Sequence, residues 1–356
     1  MASLALQIKQ WGQELGFQQI GITGTDLSVA EAHLQNWLAN NFHGDMDYMQ
    51  RHGLKRSRPA LLHEGTVRVI SARMDYLPES AAAMNQALHD PTSAYISRYA
   101  LGRDYHKMMR NRLQKLAGKI QAETFAFAPR PGMRAFVDSA PVLEKALAEK
   151  AGLGWIGKHA NLINRKAGSW FFLGEIYTDL PLPMDEPATA HCGACRACLD
   201  ICPTQAIVAP YQVDARRCVS YLTIELHGSI PVELRPLIGN RIYGCDDCQL
   251  ICPWNRFARL TGEADFNPRH QLNTRQLLDV FAWTEATFLA KTEGSAIRRI
   301  GHDRWLRNSA VALGNAPASP QVIEALTLRL GHDSEMVREH LQWALDQQLR
   351  RTYLLS

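Results

Sequence analysis

Cysteine is absent from residues 1–191 and 253–356 of this 356-residue chain. No apolar run reaches the roughly 20 residues that a transmembrane helix needs, so we expect no membrane span. Residues 1–9 also lack the apolar core of a secretory leader. We therefore expect a cytoplasmic protein in which the thiols stay reduced and form no disulfides.

All eight cysteines fall in one stretch. Its first part has the spacing C-x2-C-x2-C-x3-C-P, which is typical of bacterial two-cluster ferredoxins, where the fourth cysteine of each run ligates the other cluster. This spacing predicts one [4Fe–4S] cluster on Cys192, Cys195, Cys198 and Cys252, and a second on Cys202, Cys245 and Cys248.

The second set is one thiolate short, because Ile242 stands where a complete second run would begin. Cys218 is the one cysteine left unassigned, and we predict that it is the eighth ligand. The alternative is a pair of structural zinc sites, since zinc also binds Cys-x2-Cys pairs. The spacing and the count of eight favour two iron–sulfur clusters over zinc.

The chain is too long for a ferredoxin alone, and its length predicts two or three domains. A hydrophobic content of 46% and a charged content of 21% predict an ordinary globular protein with ample core, and a net charge of +4 identifies no partner. Leu4, Ile8 and Trp11 lie on one face of a predicted helix, and a strand follows at residues 19–23. This order predicts an α/β layer arrangement.

The predicted fold class is α+β and multidomain. Residues 1–183 form an α/β domain, and a proline-rich segment at residues 180–187 ends it. Residues 184–262 form a ferredoxin-like domain with two clusters. Residues 263–356 form helical pairs similar to HEAT repeats, although two copies are too few to establish a period.

A carboxylate at residue 138 ends the predicted strand Met133–Asp138. Ser139 and Pro141 can cap and start a helix that runs to Ala151. Folds with α/β layers place ligands at such strand ends, so Asp138 is a candidate site residue. A plain helix-capping carboxylate is an equally good interpretation.

Gly152, Gly154 and Gly157 match the G-x-G-x-x-G pattern of dinucleotide-binding folds. That pattern requires a preceding strand, whereas here a predicted helix comes first. We therefore reject a dinucleotide site and expect the glycines to allow a close approach of backbone.

Four arginines and a tryptophan surround a predicted helix start near residue 300. Arginines at such a position suit phosphate oxygens, which favours contact with nucleic acid. A salt-bridged helix end is the alternative. The residues are Arg298, Arg299, Arg304, Trp305 and Arg307.

Together these features resemble the epoxyqueuosine reductases, a family that completes queuosine synthesis in bacterial tRNA. The resemblance rests on residues 97–106, 137–144, 148–154 and 238–248, and on the eight cysteines. It implies an N-terminal domain related to reductive dehalogenases and a HEAT-like C-terminal domain that grips tRNA. Cobalamin is expected between the N-terminal and ferredoxin-like domains.

The resemblance also implies roles for individual residues. Asp138 matches the family's proton donor, and Arg235 lies in a segment assigned to tRNA contact, as do the four arginines near residue 300. Cysteine can replace Ser97 in the family, which argues against Ser97 as a cobalt ligand. The residues expected around the corrin are Arg56, Ser97, Asp138, Lys158, Leu162, Leu173 and Ser220.

The implied reaction reduces an epoxide to an alkene in a tRNA anticodon loop. One-electron clusters would charge cobalt stepwise to Co(I), a nucleophile that attacks the epoxide carbon, and Asp138 would supply a proton. The expected partners are the anticodon stem-loop and an external donor such as a flavodoxin or ferredoxin, acting on a monomer. Alternatives are a ferredoxin-type electron carrier, or a respiratory reductive dehalogenase, whose twin-arginine leader we do not find.

Overall fold

The computed structural model describes residues 1–128 and 131–355. The strands are β1 (Gln19–Thr23), β2 (Arg68–Asp75), β3 (Tyr95–Ile96), β4 (Met133–Phe136), β5 (Trp155–Ile156), β6 (Leu162–Ile163), β7 (Phe171–Thr178), β8 (Ile207–Ala209), β9 (Gln212–Val213) and β10 (Arg241–Tyr243).

The helices of the first half are α1 (Ala2–Glu14), α2 (Ser28–Ala39), α3 (Tyr48–Arg51), α4 (Pro59–Leu62), α5 (Ala81–His89), α6 (Tyr105–Thr124) and α7 (Glu144–Lys150). Those of the second half are α8 (Ala197–Ile201), α9 (Val219–Ile224), α10 (Arg235–Ile238), α11 (Asp247–Leu250), α12 (Leu277–Phe281), α13 (Glu285–Lys291), α14 (Gly301–Asn315), α15 (Pro320–Thr327) and α16 (Glu335–Leu355).

The main sheet has the strand order β1-β2-β7-β4, and every neighbouring pair is antiparallel. Helices α1 and α6 cover one face and α7 covers the other, so all eight residues of β7 are buried. The expected α/β arrangement is therefore corrected to helices packed on an antiparallel sheet. The α+β class is confirmed in its coarse form, as a mixture of helices and strands.

Helix α6 buries a stripe of apolar side chains at helical spacing, as the sequence predicts. Met109, Leu113, Leu116 and Ile120 are fully buried against the sheet. The helix begins where the carboxylate of Asp104 accepts a hydrogen bond from the backbone N–H of His106. This cap sets the direction of the first turn, which borders a large cavity.

The helix expected after β4 begins later than the sequence suggests. Residues 138–143 form turns, and α7 starts at Glu144 instead of Ser139. Gly152 has a φ of +75° just beyond the end of α7, and a two-stranded β5–β6 hairpin follows. A helix and not a strand precedes these glycines, which agrees with the rejection of a dinucleotide site.

The C-terminal helices share a core with segments from earlier in the chain. Leu306, Leu313 and Leu341 are buried together with Ile96 and Ile242, which come from the parallel pair β3–β10. The predicted boundary at residues 262/263 therefore does not separate two cores. A HEAT-like arrangement of α12 to α16 remains a prediction. No helix in the described ranges has the length and apolarity to cross a membrane.

Candidate active site

The cysteines gather in the two sets that the spacing predicts. Burial first, and then the neighbouring thiols Cys252, Cys192 and Cys195, raise the pKa of Cys198 to about 11. Since several ionised thiols in one partly buried place repel one another, each set suits a cationic cluster.

Cys218 belongs to the second group. Burial raises the pKa of Cys248 well above its usual value, and the charges of Cys218 and Cys202 add to this effect. Cys245 likewise has Cys248 and Cys218 as neighbours. The fold thus brings Cys218 to the set that lacked a fourth thiol, and its role as the eighth ligand stays a prediction that this placement supports.

The two sets differ in access to solvent. Cys195 of the first set is exposed, whereas the thiols of the second group, Cys202, Cys218, Cys245 and Cys248, are all half-buried. Cys192, Cys195, Cys198 and Cys252 also line a hollow of ≈ 240 Å³. The first set is therefore the one that an external electron donor can approach.

A large cavity of ≈ 980 Å³ lies between the main sheet and the C-terminal part of the chain. One wall comes from α3, the start of α6 and the turn after β4, and the opposite wall from residues 294–299. Gln249, which follows Cys248 directly, also lines it. The lining includes Tyr48, Arg56, Tyr76, Tyr99, Asp104, Tyr105, His106, Asp138, Glu144, Leu162, Phe172, Leu173, Gln249, Arg298 and Arg299.

Stacked aromatic rings form part of the cavity wall. Tyr105 lies parallel to Phe172, with 3.7 Å between ring centroids and 7° between planes. Tyr76 stacks on the same Phe172 at 4.4 Å. Because neighbouring rings cover one another's faces, this column forms a rigid, largely apolar part of the wall.

Asp138 is held by two side chains from the first turn of α6. Its Oδ1 lies 2.5 Å from Nε2 of His106, and its Oδ2 accepts a hydrogen bond from the hydroxyl of Tyr105. The Asp138 side chain is 37% exposed, so its environment is partly open rather than sealed.

His106 lies between two carboxylates. Its Nδ1 is 2.5 Å from Oδ1 of Asp104. Burial lowers the pKa of His106, but the hydrogen bonds and negative charges of Asp104 and Asp138 outweigh this and raise it to about 9. The imidazole is therefore charged at neutral pH, with a proton on each nitrogen.

Two further acids lie behind Asp138. Burial first, and then the charge of Asp138, raise the pKa of Glu144 to about 8, and its Oε2 has no hydrogen-bond partner. Glu175 in the centre of β7 is completely buried, with neither oxygen paired, and burial raises its pKa well above the usual range. Both acids are neutral at pH 7.

Four of the seven predicted cofactor residues line the large cavity, namely Arg56, Asp138, Leu162 and Leu173. Lys158 instead lines the smaller hollow, where its Nζ donates to the carbonyls of Gly193 and Cys195 at 2.7 and 2.9 Å.

Neither Ser97 nor Ser220 is among the residues that line the large cavity, so their contact with the cofactor stays a prediction. The Ser97 hydroxyl is buried and donates to Oδ1 of Asp246 at 2.6 Å. Ser220 follows Cys218 by two residues, and its N–H and hydroxyl are hydrogen-bonding neighbours of the Cys218 thiol.

The predicted tRNA-binding arginines differ in their exposure to solvent. Arg298 and Arg299 are exposed and line the mouth of the large cavity. Arg304 is half-buried and donates to the carbonyls of Ile300, Ile224 and Arg299.

Arg235 and Arg307 are buried, so their expected contact with tRNA is corrected. Arg307 is 0% exposed and donates to the carbonyls of Leu222, Leu226 and Gly228. Arg235 is 2% exposed and is bound to Ile230 and Glu339. Trp305, expected beside a phosphate, is also completely buried.

Sequence reasoning assigned no role to the residues that surround Asp138. The motif Asp104-Tyr105-His106 lies within the segment that carries the family resemblance. Its pattern, a capping aspartate two residues before a histidine at a helix start, could have indicated an oriented imidazole. Nothing in the local sequence shows that this turn meets Asp138, which lies more than 30 residues further along.

Comparisons with known proteins agree with this geometry. The family described as "Epoxyqueuosine reductase QueG, DUF1730" matches residues 56–139, and "4Fe-4S double cluster binding domain" matches residues 191–255. The epoxyqueuosine reductase of Pseudomonas aeruginosa is 64% identical over 346 residues, which cover 97% of this chain and 94% of the relative.

Two solved structures share the fold. One is a crystal structure of epoxyqueuosine reductase with a tRNA-Tyr epoxyqueuosine-modified tRNA stem loop, which matches with a TM-score of 0.87 at 26% identity and covers 97% of this chain and 90% of that chain. The other is the Bacillus subtilis enzyme, solved with an aspartate-bearing catalytic loop swung out of the active site. It matches with a TM-score of 0.86 at 26% identity and the same coverage.

A double [4Fe–4S] cluster domain beside a large cavity with an acidic wall defines an iron–sulfur oxidoreductase. The particular relationship follows from the comparison along the whole length. The chain belongs to the epoxyqueuosine reductase family.

Proposed function

We propose that this chain reduces epoxyqueuosine to queuosine in the anticodon loop of tRNA, with cobalamin in the large cavity and electrons from two [4Fe–4S] clusters. One observation carries the proposal: Asp138, paired with His106 and Tyr105, faces a cavity of ≈ 980 Å³ that also reaches Gln249, next to the cluster ligand Cys248. An acid, space for a large cofactor and an electron source thus meet at one site.

The cavity fits a corrin. Its volume lies at the upper end of the roughly 300–1,000 Å³ of ligand pockets, which suits a large cofactor. The edges of the stacked Tyr105 and Phe172 rings form an apolar part of the wall, and Leu162 and Leu173 extend this apolar lining. Arg56 also lines the cavity, and its buried Nε–H has no partner, so it is available to a polar group of the cofactor.

Cobalamin, when bound, supplies a metal centre that accepts single electrons and delivers two to the epoxide. The chain's own residues position the cofactor and the substrate and supply protons. The apolar wall that includes Phe172, Leu162 and Leu173 packs against the cofactor, and Asp138 reaches the reacting oxygen from the turn after β4. An aspartate on the catalytic loop of the Bacillus subtilis relative supports this role for Asp138.

Electrons enter at the set that contains the exposed Cys195 and leave through the set that contains Cys248, beside the large cavity. Cys195 is exposed and Arg196 follows it, while Lys158 and Arg256 line the adjacent hollow. These basic surroundings suit an acidic electron carrier such as a flavodoxin or ferredoxin. The carrier donates its electrons to a monomer of this chain.

Arg298 and Arg299 at the mouth of the cavity contact phosphates of the anticodon stem-loop. They lie on the helical C-terminal part, whose HEAT-like pairs present them to the nucleic acid. A modified base in a loop can swing out of its stack into the cavity without melting a duplex. A relative solved with an epoxyqueuosine-modified stem loop supports this mode.

The decisive experiment combines metal analysis with an Asp138→Asn variant of the anaerobically purified holoenzyme. Wild type should contain about eight irons and one cobalamin and should convert epoxyqueuosine tRNA. Asp138→Asn keeps the size of the side chain, so cofactor content and tRNA binding should persist while turnover falls ~10²–10⁴-fold, the usual contribution of a general acid.

Asp333→Asn, at an exposed position, is the matched control and should be neutral. Iron without affinity for cobalamin would instead favour an electron carrier. Near-normal turnover by Asp138→Asn would make Asp138 a structural residue.

The ligand sets are tested by reciprocal variants. Cys218→Ser should remove one cluster and leave the spectrum of the set containing Cys195, whereas Cys195→Ser should disturb the other cluster. Iron content and electron paramagnetic resonance of the reduced protein distinguish the two. Full iron and unchanged spectra in Cys218→Ser would show that another residue completes the second set.

A further inference from the structure

Reduction of an epoxide to an alkene consumes two protons. Both C–O bonds break, a carbon–carbon π bond forms, and the oxygen leaves as water, which takes up two electrons and two protons. The electrons come from the low-potential one-electron donor that feeds the clusters. Asp138 has one carboxyl group, so the site must return a proton to it during each turnover.

His106 is in position to do so. Its Nε2 lies 2.5 Å from Oδ1 of Asp138, and its Nδ1 lies 2.5 Å from Oδ1 of Asp104. Moving a proton from Nε2 to Oδ1 converts imidazolium and carboxylate into imidazole and carboxylic acid, and no heavy atom has to move. Asp104 keeps the Nδ1 proton in place, so that the proton leaves from the nitrogen that faces Asp138.

The imidazole is held rigidly in this orientation. The carboxylate that accepts the Nδ1 proton is also the N-cap of α6, since Asp104 accepts from the backbone N–H of His106 at 3.0 Å. The ring of Tyr105 stacks on His106 with centroids 4.3 Å apart, and Tyr105 is itself clamped against Phe172. Because burial raises the pKa of Tyr105 well above its usual value, its hydroxyl keeps its proton and holds Oδ2 of Asp138.

The charges around His106 come from every neighbouring element. Asp104 and Asp138 are its direct partners, Glu144 faces it from α7, and Arg299 from the C-terminal part acts on Asp104. Burial lowers the pKa of His106, and the two aspartates raise it to about 9. The His106 side chain is 30% exposed, so solvent can recharge it between the two proton transfers.

We propose that His106, oriented by Asp104, is a positioning residue that returns a proton to Asp138 within each catalytic cycle, so that one carboxyl group delivers both protons of the reduction. The inference rests on the proposed function, because it needs a reaction that consumes protons at Asp138. It adds a source and a direction for those protons.

The test follows single-turnover rates of the reduced holoenzyme on an epoxyqueuosine-modified stem-loop between pH 6 and 10. The wild-type rate should fall above pH ~9, where His106 loses its proton. His106→Gln keeps a hydrogen-bond donor but carries no transferable proton, so its rate should fall ~10²–10³-fold and its alkaline decline should disappear. His89→Gln, at an exposed helix end, is the matched control and should retain the wild-type profile.

Asp104→Asn is the second variant, and it remains informative if His106→Gln fails to fold. Asparagine is an equally good N-cap, so α6 is kept, while one of the two charges that hold the proton on His106 is lost. The alkaline decline should therefore move to lower pH. A merely structural role for Asp104 would not move it.

A readout without turnover comes from acylation of histidines by diethylpyrocarbonate, followed by peptide mass spectrometry. Only neutral imidazole reacts, so His106 should become reactive near pH 9 in wild type and at lower pH in Asp104→Asn. The proton relay would be overturned if His106→Gln and Asp104→Asn both kept the wild-type rate and the wild-type pH of the alkaline decline. Failure of wild type itself to reduce the substrate would overturn the proposed function instead.

Discussion

Two pairs of arginines in the C-terminal half show how differently the same residue is used. Arg298 and Arg299 lie at the mouth of the large cavity with their guanidinium groups exposed. Arg235 and Arg307 lie in a buried seam, defined here as the contact of α10 and the loop after α9 with α14 and α16. All four were expected to contact tRNA.

The difference arises from the groups that each arginine meets. In the seam, the carbonyls of Leu222, Leu226 and Gly228 have no intrahelical partner, because α9 ends there. Arg307 donates hydrogen bonds to all three carbonyls. A planar guanidinium with five N–H donors can do this, whereas the ammonium group of a lysine cannot match it. At the mouth, and among the residues that the structure describes, the Arg299 guanidinium is hydrogen-bonded to Glu225 and that of Arg298 to the carbonyl of Leu289, so both have further N–H groups to donate.

The largest expected effect in this comparison comes from Arg307→Met. The change leaves three carbonyls unsatisfied in the buried seam, at about 1–3 kcal/mol each, so we expect a loss of at least ~3 kcal/mol in the free energy of unfolding. Urea denaturation of the holoenzyme measures it. Arg350→Met, at an exposed position of α16, is the control. An unchanged midpoint combined with lost tRNA affinity would make Arg307 a phosphate ligand after all.

A second prediction concerns pH and the same seam. His340 is buried; its Nδ1 faces the carbonyl of Met336 and its Nε2 accepts from the N–H of Ile230. Burial first, and then the charge of Arg235, lower the pKa of His340 to about 4. The unfolded chain binds this proton near pH 6.5, so the contribution of His340 to stability is complete above that pH and is lost as the pH falls towards 4.

Between pH 7.5 and 5 the seam should therefore lose ~2 kcal/mol. His340→Gln retains a donor and an acceptor but does not titrate, and it should lose less over the same interval by about that amount. Denaturation curves at the two pH values provide the measurement. Equal losses in wild type and His340→Gln would mean that this histidine keeps its ordinary titration in the folded state.

The smallest expected effect on stability comes from the two arginines at the mouth of the large cavity, and this prediction concerns RNA binding. Arg298→Glu combined with Arg299→Glu should weaken stem-loop binding about tenfold at moderate salt, while stability and cofactor content persist. The dependence of log K on log salt should flatten by about 1.4, which corresponds to two phosphate contacts on single-stranded RNA.

The matched control reverses two exposed charges on α16, Arg338→Glu with Arg350→Glu, and so changes the net charge equally. Filter binding or fluorescence anisotropy across a salt titration separates local contacts from overall charge. If both double variants weaken stem-loop binding equally, Arg298 and Arg299 make no specific contact with the RNA. The arginines at the mouth would then differ from those in the seam only in their burial.

Local patterns predicted those parts of the molecule that short-range geometry controls. The helix at α6 follows from apolar residues at Met109, Leu113, Leu116 and Ile120, because one face of a helix repeats at that spacing. Three ligands of the first cluster lie within seven residues, so their spacing along the chain already determines their spacing in space.

Other features depended on contacts between distant segments, and only the tertiary structure decided them. Cys218 reaches Cys248, Ser97 turns to Asp246, and Arg307 meets carbonyls some 80 residues earlier in the chain. The sequence placed Asp138 at the end of a strand but could not show its partners, because the turn that carries His106 meets it only when α6 packs on the sheet. The chemical nature and shape of a side chain follow from its residue type. Its protonation state and its partners depend on the residues that the folded chain places next to it.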